Sequence, residues 1–193
     1  MSRPPKHIAL AALLAALGAP AGAQPAVYRL DPAHSFVHFE VMHFGTSTLR
    51  GRFGPLEGFA RLDRTAARGE VTVRVPTRVV STGLPVLDGR LRQADMLASD
   101  EHPDAFFVAE HFVYEGARLR EVRGELTLRG ISRPLALLAQ RFSCGMHPLL
   151  KREWCGGDFE AELRRSDYDI SFGLPLVADR VRLLVQVEAI RDQ

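Results

Sequence analysis

The chain reads as all-β: an eight-stranded antiparallel up-and-down barrel with one short helix at about 85–97. Three features lead there. The stretch HSFVHFEVMHF (34–44) alternates strictly, with Ser35, Val37, Phe39, Val41 and His43 on one face and His34, His38, Glu40 and Met42 on the other. Comparable segments recur to the C-terminus with short turns between them. Only one helical pattern interrupts them. A sheet with one long oily face must close around something apolar, and what fills that interior decides the function.

The first residues form a leader. Arg3 and Lys6 precede an apolar run from Ile8 to Leu17, which is too short to span a bilayer. Ala21-Gly22-Ala23 supplies the small-x-small pattern of a cleavage site. The expectation is a signal peptide over 1–23, cleaved after Ala23, and a single exported, periplasmic domain over 24–193. An uncleaved anchor is the alternative, and the short run argues against it. Arg3 and Lys6 account for the whole formal net charge of +2, so the mature chain is balanced and no nucleic-acid partner is implied.

After a short lead (YRLD, then Pro32) the first strand starts near His34, and Gly45, Thr46 and Ser47 turn the chain. Residues 48–62 carry Gly51, Gly54, Pro55 and Gly58, the composition of a bent or interrupted strand at a barrel corner. Residues 64–68 form a turn. The strand at 69–80 puts Val71, Val73 and Val75 on one face. At 85–97, Leu87, Leu91 and Ala94 recur at helical spacing, with Pro103 beyond as a stop. Strands resume at 106–114, 119–128, 132–142, 158–165 and 181–190; the last alternates Val181, Leu183, Val185, Val187 and Ala189 against Arg182, Gln186 and Glu188. With 48–62 counted as one bent strand the total is eight. A barrel of that size is filled by side chains or holds one small ligand, in a bore on the order of 25 Å long.

Cys144 and Cys155 flank a turn-rich segment. In an oxidising compartment such a pair is most simply a disulfide, worth roughly 3 kcal/mol for so short a loop. A zinc reading through Cys144, His147 and Cys155 lacks the fourth ligand that structural sites take. His34 and His38 share a face but stand about 13 Å apart along a strand, too far for one metal. Asp31, His34 and Ser35 resemble a hydrolytic triad only in composition, because adjacent strand residues point to opposite faces. There is no G-x-S-x-G elbow and no asparagine. The expectations are therefore no metal, no cofactor and no catalytic residue.

The blocks DPAHSFVHFEVMHFGTSTLRGRF (31–53), LRQADMLASDEHPDAFF (91–107) and GELTLRGISRPLAL (124–137) resemble the YceI-like family of exported proteins, and the likeness runs over essentially the whole mature chain. The segment 144–170 is similar to the cysteine-containing branch of that family. Met96 stands where relatives often carry Phe, a change that keeps bulk and oiliness. The resemblance implies a lipocalin-like barrel holding a long amphiphile: a polyisoprenoid, an isoprenoid quinone or a fatty-acid derivative. It leaves open a homodimer and transient contact with inner-membrane proteins.

The expected ligand-binding residues are Val37, Phe39, Val41, His43, Val71, Val73, Val75, Leu126, Leu128, Leu183, Val185 and Val187. His43 is either a core histidine satisfied by backbone or a donor to a head group at the mouth; its place in the family motif raises the second account to a level with the first. The helix either completes the core through Leu87 and Leu91 or caps the barrel as a gate, with Arg92 or Asp95 near the head group. Two other functions compete with a carrier. An enzyme or redox partner acting on a bound quinone would lose turnover on His43→Gln. A barrel plugged by its own side chains would be a stress or interaction module without ligand.

Overall fold

The structure is a computed structural model and describes residues 25–193. The leader expected over 1–23 lies outside the described residues. Among those described, no helix is long and apolar enough to cross a membrane.

Ten strand segments make one antiparallel sheet: β1 (Ala26–Leu30), β2 (Phe36–His43), β3 (Ser47–Phe53), β4 (Glu57–Asp63), β5 (Arg68–Pro76), β6 (Asp104–Glu115), β7 (Arg118–Leu128), β8 (Ile131–Met146), β9 (Glu153–Arg164) and β10 (Val177–Arg191). The helix α1 (Pro85–Leu91) lies between β5 and β6. β1 and β2 run end to end along the same edge of β10: Leu30 faces Ala189, and Val37 faces Val185. β3 pairs with β2, whereas β4 pairs with β1 and β5, so β3 and β4 are two halves of one bent strand. Eight strands then follow one another around the ring, and the β1–β10 pairing closes it.

The strand read as 69–80 ends at Pro76, where a single 3-10 turn over Thr77–Val79 takes over, and three further boundaries differ from the sequence reading. The lead at 26–30 is a strand, because its backbone completes the seam between β4 and β10. The helix stops at Leu91; the segment beyond it turns inward and buries Leu97 and Ala98, trading helical bonds for burial in the core. The cysteine segment is not loop but strand, since β8 and β9 pair through Cys144 and Cys155 out to Met146 and Glu153.

The bend in the β3–β4 strand has a local cause. Gly58 sits at φ +152°, and a Cβ there would lie 2.1 Å from the Thr72 carbonyl oxygen. Only glycine lets β4 approach β5 that closely. The outer face is stitched by charge where β9, β10, β2 and β3 lie side by side. Arg182 donates to Glu160 and Glu40, and Arg50 donates to Glu40 at 2.7 Å. These bonds hold both carboxyls below the usual carboxylate range, Glu40 chiefly through Arg50 and Glu160 through Arg182.

Candidate functional site: an apolar bore with one polar mouth

Alternate side chains of each strand, with the parity switching at the irregularities of β6, β7 and β8, point into the ring and enclose a cavity of about 420 Å³. That size lies in the range of small-molecule sites, roughly 300–1,000 Å³. Val37, Phe39, Val41, Val71, Val73, Val75, Leu126, Leu128, Leu183, Val185, Val187 and His43 all line it. The barrel is hollow rather than plugged by its own residues. Much of the inner wall, including Val37, Val71, Leu128 and Leu183, keeps accessible surface although it faces inward.

The two ends differ. At one end Tyr28, Leu30, Leu62 and Leu119 line the cavity and are buried, with Tyr28 1% exposed. Burial, reinforced by Glu153, raises the pKa of the Tyr28 phenol. The disulfide between Cys144 and Cys155 lies toward this closed end, where β8 and β9 approach their turn, and Cys155 contributes to the lining. At the other end the lining residues are His43, Leu87, Arg90, Phe172 and Val177, all at least partly exposed. This end is the mouth. It also gathers the bore's charged side chains Arg90 and Arg165 and its histidine, His43, with Thr77 beside them, whose hydroxyl donates to the His102 carbonyl at 2.8 Å.

Each mouth residue is held by its element. His43 is the last residue of β2, opposite Ser47 and Val177, with its ring edge-on to Phe44 at 4.2 Å. Arg90 projects from α1, binds Asp95 through two contacts of 2.6 Å, and lies 4.0 Å over the Phe172 ring. The start of α1 is anchored by Asp88, whose carboxylate accepts from the Thr82 N–H at 2.6 Å and the Thr82 hydroxyl at 2.7 Å. Arg165 is 6% exposed and donates to the carbonyls of Ile170, Phe172, Val177 and Ala178, fixing the loop that carries Phe172. Burial pulls its pKa below the ordinary guanidinium value, and Asp179 opposes that shift. Arg129 ties this loop to the segment after α1 through the carbonyls of Asp169 and Ala94.

Arg92 and Asp95 do not line the cavity. The sequence puts Arg92 or Asp95 near the head group on a lid helix reaching 97; α1 ends instead at Leu91, Arg92 is its C-cap, and Asp95 pairs with Arg90 at the mouth. Arg90 takes the mouth position instead. Its spacing three residues after Leu87 was the available signal, since i and i+3 share a helix face. Arg165 follows β9 directly and continues the inward parity of Phe159 and Leu163, whereas Phe172 had no periodic signal because it belongs to the irregular connection into β10.

The Asp31, His34 and Ser35 group is separate from the bore. His34 Nδ1 donates to Asp31 Oδ2 at 2.5 Å. The Ser35 hydroxyl instead donates to the Glu188 carbonyl at 3.1 Å and accepts the Glu188 N–H at 3.2 Å. Asp31, His34 and Glu188 bring atoms able to ligate a metal within 4.8 Å of one another, and the His34 nitrogen facing Asp31 is already engaged there.

Relatives share both sequence and architecture. The YceI proteins of Shigella flexneri and Salmonella arizonae are each 31% identical to this chain, over 173 and 191 residues. The first alignment covers 86% of this chain and 87% of the relative, the second 95% of each. Among solved structures, a Campylobacter jejuni YceI protein superposes with a TM-score of 0.68 at 21% identity, covering 79% of this chain and 90% of that one. Burkholderia cenocepacia BcnA superposes at 0.66 and 18% identity, covering 82% and 98%. A polyisoprenoid binding domain from Saccharophagus degradans superposes at 0.63 and 20% identity, covering 86% and 99%. The YceI-like domain itself matches residues 28–189, from the closing strand β1 to the end of β10, and the chain therefore belongs to the YceI-like family.

Proposed function

We propose that this protein is an exported carrier or reservoir for a long-chain amphiphile, holding the tail in the bore and the head group at the mouth, without catalysis. The observation that carries this reading is the division of the cavity: an apolar wall for most of its depth, with its charged groups at one end. Burying hydrocarbon contributes about 0.8 kcal/mol per methylene, so a tail binds without precise polar contacts. Selectivity then resides in tail length and in the head group met by His43 and Arg90. A polyisoprenoid, an isoprenoid quinone or a fatty-acid derivative fits this division. The fold shared with a polyisoprenoid binding domain supports the first of these.

Export to the periplasm is part of the proposal. The leader over 1–23 and the Cys144–Cys155 disulfide support it, because such bonds persist in oxidising compartments. The test is native mass spectrometry of protein purified from its own host. Wild type should carry a lipid of defined mass, and Val41→Asp or Val185→Asp should arrive empty. Unchanged lipid content in both variants would remove the bore from ligand binding.

A further inference from the structure

The outer surface of the mouth is unusually oily. Three chain segments meet there: the β2–β3 turn, the approach to α1, and the loop before β10. They present Phe44, Leu84, Val86, Phe172, Leu174 and Leu176 to solvent, with Val86 89% exposed and Leu176 60% exposed. Two backbone and side-chain contacts hold the segments together: Phe44 N–H donates to the Leu176 carbonyl at 2.8 Å, and Phe172 stacks on Arg90. Phe172 belongs both to this rim and to the cavity wall. At Phe172 the apolar surface therefore continues from the bore to the outside, beside the charged groups of the mouth.

We propose that this rim is a bilayer-docking face, which inserts into one leaflet and places the mouth against the membrane from which the tail is drawn. The inference rests on the carrier reading and names its partner. A hydrocarbon tail crossing open water between membrane and bore would expose every methylene on the way. A rim seated among the acyl chains removes that barrier. Its shape fits a fluid interface better than a protein surface. The apolar side chains stand on separate tips, interleaved with Gly83, Pro85, Ser171, Gly173 and Pro175, and do not form one flat patch. The charge at its centre is paired: Arg90, which stacks on Phe172, is held by Asp95. Docking is then driven by apolar burial and is insensitive to salt.

The experiment is flotation of the processed protein, purified from its host, with phosphatidylcholine vesicles at low and high salt. Wild type should float equally at both. The double variant Val86→Asp with Leu176→Asp should lose at least tenfold in vesicle binding, while its thermal unfolding midpoint stays within a few degrees of wild type, since neither side chain lines the bore. Leu149→Asp with Leu150→Asp, exposed in the turn at the opposite end, should float as wild type does. Failure of wild type to float, or floating unaffected by the rim variant, would overturn the proposal. So would a dimer in solution that the rim variant dissociates, because a second copy would then cover the face. An empty bore in wild type would instead strike the carrier reading, and the flotation result is read independently of it.

Discussion

At the scale of single residues, charge and burial lead to two measurable outcomes. The Asp31 carboxylate beside His34 holds the imidazolium above the ordinary histidine value, and His34 in turn holds Asp31 below the usual carboxylate value. The pair's contribution to stability is present between these limits. It is lost as pH rises through the raised histidine pKa, and again as pH falls through the depressed aspartate pKa. An NMR titration of His34 should show a midpoint above about 6.5, and Asp31→Asn should return it to about that value. A wild-type midpoint at or below it would mean the ion pair does not form in solution. Arg165 makes a larger contribution. Arg165→Met leaves four loop carbonyls without their donor and should cost about 3 kcal/mol in urea denaturation. Lysine should recover less than half, because its single ammonium cannot reproduce the planar fork. A loss under about 1 kcal/mol would show that water satisfies those carbonyls equally well.

Elements are shaped here by a few positions at which backbone approach matters more than side-chain pattern. Gly58 is the clearest. Gly58→Ala combines a strained backbone with a Cβ 2.1 Å from the Thr72 oxygen, and should cost roughly 3 kcal/mol. Gly116→Ala is the control: its φ is also positive, at +58°, but no atom lies within 4 Å of the added Cβ, so about 1 kcal/mol is expected. Equal losses in thermal or chemical unfolding would mean that the close approach of β4 to β5 is not rigid. The glycines and Pro55 of residues 48–62 announced the bend in advance. Nothing local announced that β1 would pair with both β4 and β10, since five residues ending in Leu30 read equally well as an extended lead.

For the molecule as a whole, a hollow interior has a stability consequence. The native state binds the tail and the unfolded chain does not, so occupancy stabilises the fold by mass action. Protein stripped of lipid by organic extraction and refolded should melt lower than protein as isolated. At a ligand concentration of about 100 times Kd the difference is about 2.7 kcal/mol, which for a domain of this size is roughly 5–10 °C. Identical melting curves for the two preparations would mean that nothing resides in the bore.

The alternation of Val, Leu and Phe along each strand was enough to define the class of fold and the wall of the cavity. All twelve residues named for the interior line it, because side-chain parity is a local property within each unbroken stretch of strand; it switches only at the irregularities of β6, β7 and β8, which the pattern did not announce. The mouth was not legible in the same way. Arg90 comes from α1, far upstream in the chain, and meets Arg165 just past the end of β9 and Phe172 in the irregular loop that follows; the three share no period. Their meeting depends on where α1 ends and on how the loop before β10 folds around a buried guanidinium. Periodicity reports which way a side chain points; only closure of the ring decides what it points at.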